Sequence, residues 1–271
     1  MRAHWKRTLC LVLAVLLVTA ALGSAPAKAA GGSIDMGDVI QLGDYESCSL
    51  HIVFYPKALE SSDQAWPVIV WANGTMCAPV LYTNLLKSFA AQGFIVVTNS
   101  DVMNGNGKTQ VTALDWILAQ NENPGSVFYG KVDAARLAAA GHSQGGRSVV
   151  NACAADSRFA CAVSIAGSPF SSEPKKLSTP TLFLTGTLDT FVLAAMWVRP
   201  AYNNCTGPAA YASLRGGLHT APMFAADKYV DYVTLWLRAW LDGDAAAMNA
   251  FRQGGALSAD KGWTSFACKG F

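Results

Sequence analysis

Charge is scarce in this sequence. Only 14% of its 271 residues are Asp, Glu, Lys or Arg, and the formal net charge is +2. Even that small excess is local. Residues 1–29 hold Arg2, Lys6, Arg7 and Lys28 and no acidic residue, whereas the remaining 242 carry 16 basic and 18 acidic side chains, a net of −2. A near-neutral body lacks the basic footprint of a nucleic-acid binder, so no nucleic-acid partner is expected. Histidine is scarcer still, with four in the whole chain, and there is no C-x-x-C pair. That leaves no zinc-type ligand set, and no metal is expected. Long apolar runs are missing too. Leu9 to Leu22 is 14 residues with only Thr19 interrupting it, short of the ~20 that span a bilayer, so no stable membrane anchor is expected. Linkers, repeats and low-complexity tracts are absent, so residues 30–271 read as a single domain, expected as a monomer.

What is present begins with an export signal. Arg2, Lys6 and Arg7 precede the Leu9–Leu22 run, and Ala27-Lys28-Ala29 ends it as a small-x-small cleavage site. This is the pattern of a secretory signal peptide over residues 1–29, cleaved before Ala30, and it predicts an extracellular or periplasmic protein. Six cysteines would remain: Cys48, Cys77, Cys153, Cys161, Cys205 and Cys268. An even number in an exported chain favours disulfides, with Cys153 and Cys161 the easiest local pair.

After a Gly- and Asp-rich stretch over residues 30–47, expected at the periphery, strand and helix patterns alternate. Cys48–Tyr55, Pro67–Ala72, Phe94–Thr98, Arg136–Ala140, Ala162–Ala166 and Thr181–Thr185 are short apolar runs, as in strands buried on both faces. Pro79–Ala91, Thr109–Gln120, the segment from Gly146 to about Ala154, and Pro222–Leu241 read as helices. The alternation predicts an α/β fold: a mostly parallel central sheet with helices on both faces and no insertion long enough for a large lid.

One turn in this alternation carries chemistry. Gly141-His142-Ser143-Gln144-Gly145 follows an apolar strand and opens a helix. A serine hydroxyl is a weak nucleophile that needs an exposed, strained position beside a base, and a sharp strand-to-helix turn flanked by glycines supplies it. The base follows by elimination. His51 lies mid-strand in apolar company, and His142 adjoins the nucleophile with its side chain expected to point away and pack. His219 sits in the Gly-rich loop Arg215-Gly216-Gly217-Leu218-His219-Thr220. Between Ser143 and His219 the acidic residues are Asp156, Glu173 and Asp189. Asp189 alone follows a buried strand at the carboxyl edge of the sheet, where sites of open α/β sheets are built. The order Ser143, Asp189, His219 is that of the α/β-hydrolase fold. Two backbone donors are needed for the oxyanion. The Gln144 N–H is one, and the loop Asn73-Gly74-Thr75-Met76 supplies the other, from Thr75 or alternatively Met76. Asn73-Gly74-Thr75 also matches a glycosylation sequon, but a turn at the floor of a site is a poor acceptor. Asn104-Gly105-Asn106-Gly107-Lys108-Thr109 resembles the end of a phosphate-binding loop, yet Val102 stands where that motif needs glycine, so it reads as a polar loop.

With these residues in place, the sequence resembles the secreted bacterial polyester hydrolases and cutinase-like esterases of the α/β-hydrolase superfamily, the group that includes polyethylene terephthalate hydrolases. The resemblance covers about residues 66–268. It rests on Ala91-Gln92-Gly93-Phe94-Ile95-Val96-Val97, Tyr129-Gly130-Lys131-Val132-Asp133, the Gly141–Gly146 turn, Pro180-Thr181-Leu182, Asp189, Gly217-Leu218-His219 and Phe266-Ala267-Cys268. It implies a serine carboxylic-ester hydrolase that needs no cofactor and takes small or polymeric esters. There are departures. Thr75 stands where the group usually has an aromatic residue. The group's Trp would fall near Ser168, with Phe170 as its substitute, and Phe191 is expected to line the acyl pocket. Gly74, Met76 and His142 complete the candidate substrate contacts. Cys268 lacks the cysteine it pairs with in that group, which leaves Cys205 as partner or the thiol free. A lipase, acetyl-ester hydrolase or serine peptidase of the same fold, a dienelactone-hydrolase-like enzyme, and a non-catalytic binding protein on this scaffold are the other readings.

Overall fold

The computed structural model describes residues 35–43, 50–167 and 173–271. The export segment 1–29, Cys48 and Phe170 lie outside the described residues. Nine strands form one sheet: β1 (Val39–Leu42), β2 (His51–Pro56), β3 (Trp66–Ala72), β4 (Ile95–Asn99), β5 (Val132–His142), β6 (Cys161–Ile165), β7 (Thr181–Gly186), β8 (Ala209–Leu214) and β9 (Trp263–Lys269). Their order is β1-β2-β4-β3-β5-β6-β7-β8-β9. The run from β4 to β8 is parallel, and the antiparallel pairs are β1/β2, β2/β4 and β8/β9.

Both faces of the sheet are covered, and the pleat explains how. Successive side chains of a strand point to opposite faces. In β3, Ile69 and Trp71 join one core with α1 (Thr83–Ala91) and α6 (Asp227–Leu241), through Phe89 and Trp236. Val68 and Val70 join the other core with α2 (Lys108–Asn121) and α3 (Gln144–Ala155), through Leu114, Ile117 and Val149. Such strands are apolar at every position, which is why they read as continuous runs.

This wiring creates the crevice. The chain leaves β3 through α1 on one face to reach β4 on one side, then returns through α2 on the other face to β5, on the opposite side of β3. The loops after β3 and β5 therefore diverge from neighbouring strand ends, where Ala72 pairs with Gly141. A ligand site is expected at such a switch point.

Several boundaries differ from the sequence reading. The expected helix Pro222–Leu241 is two helices, α5 (Ala221–Phe224) and α6, broken at Ala225, whose backbone leaves the helical region at φ −136°, ψ 50°. Nothing in composition marks the break, because no Gly or Pro lies there. The strands β1, β8 and β9 were not anticipated. β1 is a partly exposed edge strand inside the Gly- and Asp-rich stretch, and the sequence of β8 (AAYASL) is rich in alanine, a weak strand former. The expected disulfides do not form among the described residues: Cys77, Cys153, Cys161, Cys205 and Cys268 are free thiols. The physical reason is which face each occupies. Cys153 packs in the core containing α3, whereas Cys161 packs in the core on the other face. Cys205 belongs to the first of these cores, while Cys268 is opposite Ala210, a residue of the second.

Candidate active site

Ser143 occupies the single residue between the end of β5 and the start of α3. Its backbone has φ +57° and ψ −121°, a conformation that costs a non-glycine residue about 1–3 kcal/mol and needs surrounding structure to hold it. Two contacts do so. The Ser143 N–H donates to Ile165 O at 2.9 Å, and α3 packs against the end of β3 so closely that a Cβ at Gly145 would lie 2.0 Å from Ala72 O. Only glycine permits that approach, and with it the hydroxyl is thrust out at the sheet edge.

Two further loops meet it there. His219, after β8, has its Nε2 2.9 Å from Ser143 Oγ and its Nδ1 2.8 Å from Asp189 Oδ2. Asp189, after β7, is 6% exposed, and its other oxygen accepts the N–H groups of Phe191 (2.9 Å) and Val192 (2.8 Å). Burial works to raise the Asp189 pKa, but the His219 bond and these amides outweigh it and hold the carboxyl below the ordinary carboxylate range. The two loops are laced together by Leu188 N–H to Gly217 O and Gly216 N–H to Thr187 Oγ1, both 2.9 Å. The rival acids lie elsewhere: Asp156 caps the far end of α3 and pairs with Arg158, and Glu173 opens a short 3-10 turn.

The third loop follows β3. Asn73 is fully buried, with Nδ2 donating to Asn99 O at 2.7 Å and Oδ1 accepting from Thr98 Oγ1. That excludes it as a glycan acceptor. Asn104 Nδ2 donates to Asn73 O and to Asp101 O, tying the β3 and β4 loops together. The Gly74 N–H donates to the Tyr82 hydroxyl at 3.1 Å, and the Met76 N–H donates to Val102 O at 3.0 Å. The alternative oxyanion donor, Met76, is thus committed elsewhere. The N–H groups of Thr75 and Gln144 have no acceptor among the described residues.

The remaining candidates separate by exposure. Phe191 is 75% exposed, with its ring 5.4 Å from that of His219, and Met76, in the loop after β3, is exposed too. His142 requires a correction: it is fully buried, so it cannot contact substrate. Its Nδ1 lies 2.8 Å from the Tyr82 hydroxyl, and its ring lies 4.7 Å from that of His219. Burial first, and then the neighbouring His219, push its pKa down to about 3. His51 stacks on Trp116 at 4.5 Å, the packing role expected of it. Sequence reasoning missed Tyr82 altogether. It lies in a short helical turn, Pro79–Tyr82, in which Tyr82 is fully buried while Val80 is exposed, and residue type alone gave no signal of that. Among the described residues no group of three or more His, Cys, Asp or Glu could hold a metal ion, and no helix is long and apolar enough to cross a membrane.

A mostly parallel sheet, helices on both faces, and a strained serine between strand and helix define an α/β-hydrolase fold. The model of the PET hydrolase-like family matches residues 39–257, and the chain belongs to that family. It is 27% identical over 201 residues to a bis(hydroxyethyl) terephthalate hydrolase of Streptomyces coelicolor, covering 71% of this chain and 62% of that protein. It is 26% identical over 165 residues to cutinase est2 of Thermobifida alba, covering 58% of this chain and 54% of the other. Cutinase 2 of Thermobifida cellulosilytica is 26% identical over 199 residues, covering 71% and 73%. The chain thus spans less than two thirds of the length of the first two relatives.

Proposed function

We propose that this protein is an exported, single-domain serine hydrolase of carboxylic esters. The observation that carries the reading is the continuous hydrogen-bonded line from Ser143 Oγ through His219 to Asp189, at 2.9 and 2.8 Å. In the reaction His219 Nε2 takes the Ser143 proton as Oγ attacks the ester carbonyl carbon. The carbonyl oxygen becomes an oxyanion between the N–H groups of Thr75 and Gln144. The C–O bond of the ester breaks, His219 returns the proton to the departing alcohol, and the acyl group stays on Ser143. A water molecule, deprotonated by His219, then attacks the acyl-enzyme and releases the acid. Asp189 holds the imidazole in one tautomer and stabilises its charged form. The chemistry calls for no cofactor.

The surroundings favour an apolar ester. Met76, Met103, Leu188, Phe191 and Leu218 are exposed and lie in the loops after β3, β4, β7 and β8, the same edge as Ser143. An open, apolar rim admits small esters and also chains lying across it. The names of the relatives point to the same substrate class. Export rests on the signal pattern of residues 1–29. The test is Ser143→Ala on a p-nitrophenyl ester. The reading predicts a loss of roughly 10⁴ or more in kcat, and retained activity overturns it.

A further inference from the structure

We propose that Tyr82 is the positioning residue of the oxyanion loop, its hydroxyl holding the Gly74–Thr75 backbone against the nucleophile. The inference rests on the hydrolase reading, because it concerns how that site's backbone donors are held. Gly74, Thr75 and Met76 present three successive amides. The outer two are tied down, Gly74 N–H to Tyr82 Oη and Met76 N–H to Val102 O, and the middle one is left unpaired at the exposed Thr75. The direction of the free amide is therefore set from both sides, and on one side by a single phenol.

One hydrogen-bond direction at that phenol is determined. An amide can only donate, so Tyr82 Oη accepts from Gly74. The same oxygen also bonds His142 Nδ1 at 2.8 Å, with the donor set by the tautomer of the buried imidazole. Burial keeps that ring neutral, so the contact keeps one protonation state through the working pH range. The thiol of Cys77 also reaches the same hydroxyl. Tyr82 is fully buried and packed against Trp71 at 5.2 Å, so the hydroxyl cannot drift. The fit above it is close. A Cβ at Gly74 would stand 2.9 Å from Tyr82 Oη and 3.4 Å from Ser143 Cβ. The ring of His142, bonded to the same hydroxyl, lies 4.7 Å from that of His219.

The experiment is Tyr82→Phe, which keeps the ring and its packing and removes only the oxygen. Measured on p-nitrophenyl butyrate, kcat should fall about 10–100-fold, with KM within about twofold, because the ground state does not use the hole. An alkyl boronic acid, whose adduct with Ser143 is tetrahedral and fills the hole, should bind more weakly by the same factor as kcat/KM. Fluorophosphonate should still titrate one site per chain, showing an intact nucleophile. A variant with wild-type kcat overturns the proposal, as does one whose boronic acid affinity is unchanged. A double-mutant cycle with Gly74→Ala gives an independent readout. The added methyl displaces the hydroxyl, so its cost should largely vanish in the Tyr82→Phe background, and additive losses contradict the proposal. If Ser143→Ala is inactive while Tyr82→Phe is unimpaired, only the role of Tyr82 falls. If Ser143→Ala remains active, the hydrolase reading falls instead.

Discussion

On the base side of the site, Asp189 and His219 stand on loops after adjacent parallel strands and are fixed by a carboxylate that accepts three N–H groups. On the oxyanion side, Asn73 to Met76 stand on one loop and are fixed by neutral hydrogen bonds to Tyr82, Asn104 and a backbone carbonyl. Charge-assisted bonds are shorter and roughly twice as strong as neutral ones. The base side is therefore held by strong contacts centred on one residue, and the oxyanion side by modest ones spread over several. Damage to the first should be abrupt, and damage to the second graded.

The largest expected effect lies on the base side. Asp189→Asn keeps the size of the side chain and removes the charge that favours the productive imidazole tautomer. The expected loss is about 10⁴-fold in kcat with KM little changed, read by steady-state kinetics. A loss under about tenfold would show that the charge does not orient His219. The oxyanion side should respond more gently. Asn104→Ala removes the donor that spans the β3 and β4 loops, and the loop shift it permits should lower kcat by up to about 10²-fold. It should also cost about 1–3 kcal/mol of stability in urea unfolding, because Asn73 O and Asp101 O lose a buried partner.

The contrast also explains what was legible in the sequence. Ser143 was marked by its glycines and by the strand-to-helix switch. With so few histidines and acids between Ser143 and the C-terminal helices, His219 and Asp189 followed by elimination and by position at the sheet edge. The oxyanion side offered no such arithmetic. Thr75 could not be separated from Met76 by residue type, because what distinguishes them is a bond from Met76 N–H to a carbonyl 26 residues on, in Val102. Tyr82 and the burial of His142 depend on the same long-range packing. The thiols of Cys153 and Cys161 are close in sequence but sit on opposite faces of the sheet, which spacing alone does not reveal.

The remaining prediction concerns acid. In the unfolded chain His142 takes up a proton near its ordinary value of about 6.5, whereas in the folded protein it stays neutral until about 3. The unfolded state thus binds more protons across this window, and stability falls as the pH is lowered from about 6.5, by about 1.4 kcal/mol per unit for one such group. His51, also lowered by burial, adds with the same sign. Urea unfolding at pH 7, 5 and 4 reads the slope. His142→Phe should flatten it, and an unchanged slope would show that the buried imidazole is not its source.

The central claim is that Ser143 is a nucleophile activated by His219, and covalent labelling tests it most directly. The protein is treated with a fluorophosphonate, digested and mapped by mass spectrometry. One adduct per chain is expected, on the peptide containing Ser143, and it should be lost in Ser143→Ala and greatly slowed in His219→Ala. Absence of an adduct, or an adduct on another residue that survives Ser143→Ala, would contradict the account.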